Sequence, residues 1–262
     1  MARPKNPSNQ INSYDEELAK FAQAAAAEKA AAAGSTNRVS LKAGLINVGG
    51  TVVGTSAPIV VLSDVPTNTY YEGAYDPADP QGPTCFAFGV GDEPMKPHKD
   101  SLKPQHTDCA NCPHNKFGSA IGRDGKPAAG KACKNTTRMV GLVGTYKDGK
   151  PVLGDLGTAP LWQVSLPPTS VRNWAAFVVA SANLVKRPPF GFVTNLHTVP
   201  DQKAQFLVQF AHERNLTADE YAAIKPRLDE AKELALAPFI TVARDPKSAA
   251  PAPTKGRKQK YA

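Results

Sequence analysis

The chain has 262 residues, 41% of them apolar, with 24 prolines, 20 glycines, four cysteines and a formal net charge of +8. That length holds one sizeable core or two small ones, and no apolar run approaches the roughly 18 to 20 residues needed to cross a bilayer. Met1-Ala2-Arg3-Pro4-Lys5 leads into no apolar stretch of the kind a secretory signal carries. The expectation is an intracellular protein without membrane association, whose cysteines are read as metal ligands before disulfides.

Residues 1–37 read as a tail and one helix. Ser13 and Glu16 form a capping box, Leu18, Phe21, Ala22 and Ala25 follow helical spacing, and Gly34 is a stop signal. This Ala-rich helix with a thin apolar stripe either lies against the body or mediates self-association. Strands are expected at Val39–Leu41, Gly44–Val48, Thr51–Val53 and Pro58–Leu62, with Gly49 and Gly50 turning between two of them. Val65 to Gln81 reads as turn-rich but carries Tyr70, Tyr71 and Tyr75.

The cysteine segment, Pro83 to Arg138, follows and leads into an apolar run over Met139–Val143. Lys147-Asp148-Gly149-Lys150 signals a hairpin, and Pro160–Leu166 alternates like a strand. Thr169 or Ser170 caps a helix to about Val185, with Val171, Trp174, Val178 and Ala182 on one face; Trp162 and Trp174 are assigned to the core. Phe190–Thr198 and Gln205–Phe210 form a strand pair. A capping box at Thr217–Glu220 opens a last helix, interrupted at Pro226 and ending near Leu236. From Lys247 onward the chain is rich in Ala, Pro and Lys.

The expected fold is α+β, mainly β: an OB-like five-stranded barrel over residues 38–240, a metal-stapled insertion at about 83–138, flanking helices, and a basic tail at 241–262. A strand-rich α+β sandwich would give a similar order of elements.

The four cysteines all lie in the inserted segment, at Cys85, Cys109, Cys112 and Cys133, separated by 23, 2 and 20 residues. Two intervening residues let Cys109 and Cys112 turn both sulfurs inward, and one thiolate from each side closes a four-sulfur site. Such a shell leaves no open position for water, so the metal is structural. Zinc suits it, and an iron–sulfur cluster uses the same ligands. His98, His106 and His114 are close in sequence and are read as polar or phosphate-contacting groups. The usual catalytic signatures are missing from the sequence: no P-loop, no Gly-x-Gly-x-x-Gly after a strand, no His-Glu-x-x-His and no Gly-x-Ser-x-Gly. A non-catalytic protein is expected.

Charge is concentrated here as well. Met95 to Arg138 carries nine basic and three acidic residues, Arg244 to Ala262 six and one, and the remainder sixteen and nineteen. Lys96, Lys99, Lys103, Lys116, Arg123, Lys126, Lys131, Lys134 and Arg138 surround the cysteines, flanked by Tyr70, Tyr71, Tyr75, Phe86, Phe88 and Phe117. Cations neutralise phosphates and flat rings stack on unpaired bases, a combination suited to single-stranded nucleic acid. The candidate contacts are Tyr70, Tyr71, Tyr75 and these basic residues other than Lys126.

Asn68-Thr69-Tyr70-Tyr71, Pro83-Thr84-Cys85-Phe86, the run from Cys109 to Ser119 and Gly130-Lys131-Ala132-Cys133-Lys134 resemble a family of tailed-phage single-stranded DNA-binding proteins with an inserted zinc module. Pro160 to Val185 is similar to the later half of phage helix-destabilising proteins, which have an OB fold. The resemblance spans about Val39 to Glu213, and its specific part is the cysteine block. It implies Cys85, Cys109, Cys112 and Cys133 as zinc ligands, a DNA groove nearby, partners in phage replication or recombination, and a place in the cytoplasm of an infected host. Proteins of that kind commonly end in an acidic tail, whereas this chain ends in Lys255-Gly256-Arg257-Lys258-Gln259-Lys260. RNA as the ligand, a zinc-stapled virion structural or assembly protein, and an iron–sulfur nuclease or recombination accessory are the competing expectations.

Overall fold

A computed structural model describes Leu18 and residues 37–73, 81–122 and 125–239. The expected basic tail at 241–262 and, apart from Leu18, the expected N-terminal helix lie outside the described residues. From residue 37 onward the architecture is α+β and mainly β. In chain order the elements are β1 (Arg38–Lys42), β2 (Leu45–Val48), β3 (Thr51–Gly54), β4 (Ser56–Tyr70), β5 (Cys85–Phe88), β6 (Ala120–Ile121), β7 (Pro127–Ala128), β8 (Lys134–Val143), β9 (Thr145–Lys147), β10 (Lys150–Val152), β11 (Trp162–Leu166), α1 (Val171–Leu184), β12 (Phe192–Asp201), β13 (Gln205–Asn215), α2 (Ala218–Ile224) and α3 (Leu228–Leu236). One nine-stranded sheet runs β13-β12-β4-β8-β11-β1-β2-β3, with β5 added beside β4; β9 with β10 and β6 with β7 form separate ladders.

The chain divides into two compact units. One takes the chain up to Ser63, Met139–Ser165 and Arg172–Lys232; the other takes Asp64–Arg138, Leu166–Val171 and the chain from Glu233. The second unit begins at Asp64, within β4, which runs further than its sequence suggests. Thr67, Asn68 and Thr69 look like turn residues, yet all three are buried on a strand that pairs antiparallel with β5, Tyr70 opposite Cys85 and Thr69 opposite Phe86. Polar side chains tolerate this because they are bonded: Thr67 Oγ1 donates to the Val65 carbonyl at 3.1 Å, and the Asn135 amide donates to Asn68 Oδ1.

In the first unit, tight turns follow from residues that accept positive φ. Asp148 and Gly149, at φ 50° and 72°, reverse the chain between β9 and β10, as the sequence suggests. Gly49 turns β2 into β3 at φ 58°, and a Cβ there would also lie 2.7 Å from the Trp162 ring. Ile46, Ile59, Val60, Val61, Leu142, Val164, Leu196 and Val208 form its buried core.

Helix α1 lays Trp174 and Phe177 against Phe210, with ring centroids 4.9 and 5.8 Å away. Its buried line is Trp174 and Ser181, and Ala182 is exposed. The expected face holds at Trp174, with Val171 and Val178 half-buried, but Ser181 takes the last place in it instead of Ala182, because 174 and 181 lie two turns apart on one face. Trp162 is half-buried and Trp174 fully so. The Thr217–Glu220 capping box is present on α2. Glu220 also takes a bidentate pair from Arg214 at 2.7 and 2.8 Å, which holds its carboxyl below the usual glutamate range. A single 3-10 turn containing Pro226 separates α2 from α3, since proline cannot donate the next helical hydrogen bond.

At Gly141 in β8, an added Cβ would sit 2.2 Å from the Val60 carbonyl oxygen of β4. Backbone atoms cannot yield as a side-chain tip can, so Gly141→Ala is expected to cost roughly 2–4 kcal/mol by strain. A urea-unfolding midpoint equal to that of the wild type would contradict this.

Candidate metal centre

Strand β5 carries Cys85 into the second unit. Its outer edge is covered by the loop that follows: the His98 N–H donates to the Phe86 carbonyl at 2.7 Å, and the Lys103 N–H to the Thr84 carbonyl at 3.0 Å. Buried Ser101 bonds both the N–H and the carbonyl of Phe86 at 3.1 Å. The same loop then places Cys109, whose N–H donates to the Met95 carbonyl at 2.9 Å.

Short-range polar bonds shape the Cys109–Cys112 knuckle. Asp108 Oδ1 accepts the Asn111 N–H at 2.7 Å, the Asn115 amide donates to the Cys109 carbonyl at 2.7 Å, and the Asn115 N–H to the Cys112 carbonyl at 3.0 Å. Cys133 is drawn in from the far side by its N–H, which donates to the His114 carbonyl at 2.8 Å.

All four cysteines are buried and none is in a disulfide. They line one cavity of about 20 Å3, together with Asn68, Tyr70, Asp108, His106 and His114. That is room for one atom-sized occupant. Among the described residues no set of three or more His, Cys, Asp or Glu side chains is arranged to hold a metal ion, so the fold gathers the thiols around one space without setting them in a ligand geometry. Burial pushes the Cys133 thiol up to about 12, reinforced by the negative charge that Cys109, Cys112 and Cys85 would carry as thiolates. Burial raises Cys109 too, opposed by a hydrogen bond from Asn68. Burial thus favours the neutral thiol at Cys109 and Cys133, and a cation beside them would reverse that balance. The donor set therefore fits a thiophilic metal in chemistry.

The three histidines are engaged locally. His98 stacks on Phe86 with centroids 4.9 Å apart, His106 Nδ1 lies 3.3 Å from Asp108, and His114 packs on the Tyr70 ring at 4.3 Å.

The expected nucleic-acid contacts separate into groups. Lys96, Lys99, Lys116 and Lys134 are exposed. Lys103 is exposed and paired with Glu72 at 2.9 Å. Lys131 is half-buried; its ammonium donates to Asn115 and Asn135 and lies 5.1 Å from the Phe117 centroid. Tyr71 is exposed, whereas Tyr70 has one ring neighbour in His114. Tyr75 and Arg123 lie outside the described residues.

Arg138 stands apart from the basic surface expected of it. It is only 3% exposed, with its guanidinium between Phe88 and Phe239 at 4.8 and 4.3 Å from their centroids. It donates to the carbonyls of Ala235 and Ala237 at the end of α3. A cation at a helix C-terminus meets both the orphan carbonyls and the helix dipole. Sequence reasoning assigned it by charge alone; the apolar run beginning at Met139 was the only hint of its burial. Asn68, Asn115 and Asn135, which wire Lys131 to the knuckle, were also missed, since asparagine in loops reads as a turn former.

No protein-family model matches the chain, and no curated protein or solved structure matches it either.

Arg138→Ala is expected to destabilise the protein by about 3 kcal/mol, because it strips two carbonyls of their donor and empties the slot between two rings. Arg138→Lys recovers little, lacking the planar fork. Denaturant unfolding of both variants checks this; full recovery by lysine would contradict it.

Proposed function

We propose that this chain is a non-catalytic protein of the tailed-phage type that binds single-stranded DNA, with a structural zinc ion supporting the binding surface. The observation that carries the reading is the pairing of four buried cysteines on one small cavity with exposed Lys96, Lys99 and Lys116 in the loops between those cysteines and exposed Lys134 at the start of β8, next to Cys133. Cys85, Cys109, Cys112 and Cys133 would hold the metal. Its contribution is a cross-link: it ties loops rich in Gly, Pro, Lys and Asn, which bury too little apolar surface to order themselves. A space for one atom-sized occupant favours a single ion over a polynuclear iron–sulfur cluster.

In the first unit, an OB-type barrel elaborated by extra strands accounts for the order of strands, one inserted helix and a closing strand pair. The parallel pairing of β1 with β11, beside antiparallel β1–β2 and β12–β13, is compatible with that topology.

Metal analysis of the purified protein is expected to find one equivalent of zinc, lost in Cys112→Ser and in Cys133→Ser. A metal-free protein with unchanged folding would overturn the metal assignment.

Binding to oligo-dT is expected to weaken with salt. Four lysine–phosphate contacts at about 0.7 each give a slope of log affinity on log salt of about −3. Equal affinity for duplex and single strand, or a slope near zero, would overturn the DNA reading.

A further inference from the structure

From the knuckle geometry we infer that Phe117 is the principal base-stacking platform of this surface, an inference that rests on the single-strand reading above. Stacking was expected of tyrosines, yet the Tyr70 ring is half-buried, lines the cysteine cavity and already has His114 at 4.3 Å. Phe117 is the reverse case, 81% exposed in the loop between Cys112 and Cys133.

Its backbone is fixed with unusual thoroughness for an exposed loop. Ser119 Oγ lies 2.6 Å from the Lys116 carbonyl and 3.0 Å from that of His114, and accepts the Ala132 N–H at 3.0 Å. The Gly118 N–H donates to the carbonyls of Ala129 and Gly130, and Gly118 takes φ 85°, a turn that glycine permits without strain. Gly118 and Ser119, which follow the ring, are thereby tied to the segment between β7 and Cys133.

Charge identifies the partner. Lys131 places its ammonium over the Phe117 ring, 5.1 Å from the centroid, and Lys116 is exposed beside it. An aromatic surface flanked by cations matches an unpaired base with its phosphates. A backbone fixed before binding also loses little freedom when a base stacks on the ring it carries.

The test compares full-length wild type, Phe117→Ala and Phe117→Trp for binding to oligo-dT and to an abasic oligomer of equal length. Loss of one stacked base is expected to weaken oligo-dT binding by Phe117→Ala roughly 5- to 100-fold and leave abasic binding within about twofold. Phe117→Trp restores affinity, and its added fluorescence is quenched by oligo-dT. The ring's exposure leaves the unfolding midpoint of each variant unchanged, which separates stacking from misfolding. If wild type binds oligo-dT and Phe117→Ala binds it equally well, the inference is overturned and a protein partner becomes the better explanation of the ring. Equal loss on both oligomers also overturns it, and a wild type that binds neither removes the DNA reading itself.

Discussion

Mutual burial of four thiols is the constraint on which the second unit depends. Cys85 arrives on a strand, Cys109 and Cys112 on a knuckle, and Cys133 on the chain leading into β8, yet all four line one cavity. Burial first, and the neighbouring thiols second, make Cys133 and Cys109 harder to ionise, so thiolates at these two positions are unfavourable until positive charge enters. Loops of this composition cannot offset that cost with apolar area. A thiophilic cation would resolve both difficulties at once, and this is the physical ground of the metal proposal.

Around that centre, cations serve two different ends. Arg138 is internal: clamped between Phe88 and Phe239, it satisfies the carbonyls that end α3. Lys131 is intermediate, joined through Asn115 to the knuckle and through Asn135 to Asn68, whose amide reaches Cys109. Lys96, Lys99, Lys116 and Lys134 are left to face solvent. Counting all nine basic residues of the segment as one binding patch conflates these uses; burial and geometry decide which charge is available to a phosphate.

The same sorting applies to the aromatics. Phe86, Phe88 and Phe239 pack with each other and with His98 or Arg138, and Tyr70 packs with His114. These contacts brace the segment. Phe117 stays exposed beside Lys131, so the surface that could meet a base is narrower than the aromatic content implies and includes the turn between Cys112 and Cys133.

Much was legible in the residues alone, where local rules act by themselves. The Asp148–Gly149 hairpin, the turn at Gly49, the Thr217–Glu220 capping box, the break at Pro226 and the α+β, mainly β class all follow from turn chemistry, capping and hydrophobic period. The cysteine spacing likewise marked Cys85, Cys109, Cys112 and Cys133 as one group. Tertiary structure alone decided the rest. Thr67, Asn68 and Thr69 are strand residues because partners distant in sequence bond them; Arg138 is interior because Phe239, about a hundred positions away, closes over it; Tyr70 packs on His114 while Phe117 stays exposed beside Lys131. Each of these outcomes turns on a neighbour remote along the chain, and charge, polarity or aromatic character read one residue at a time contains no record of that neighbour.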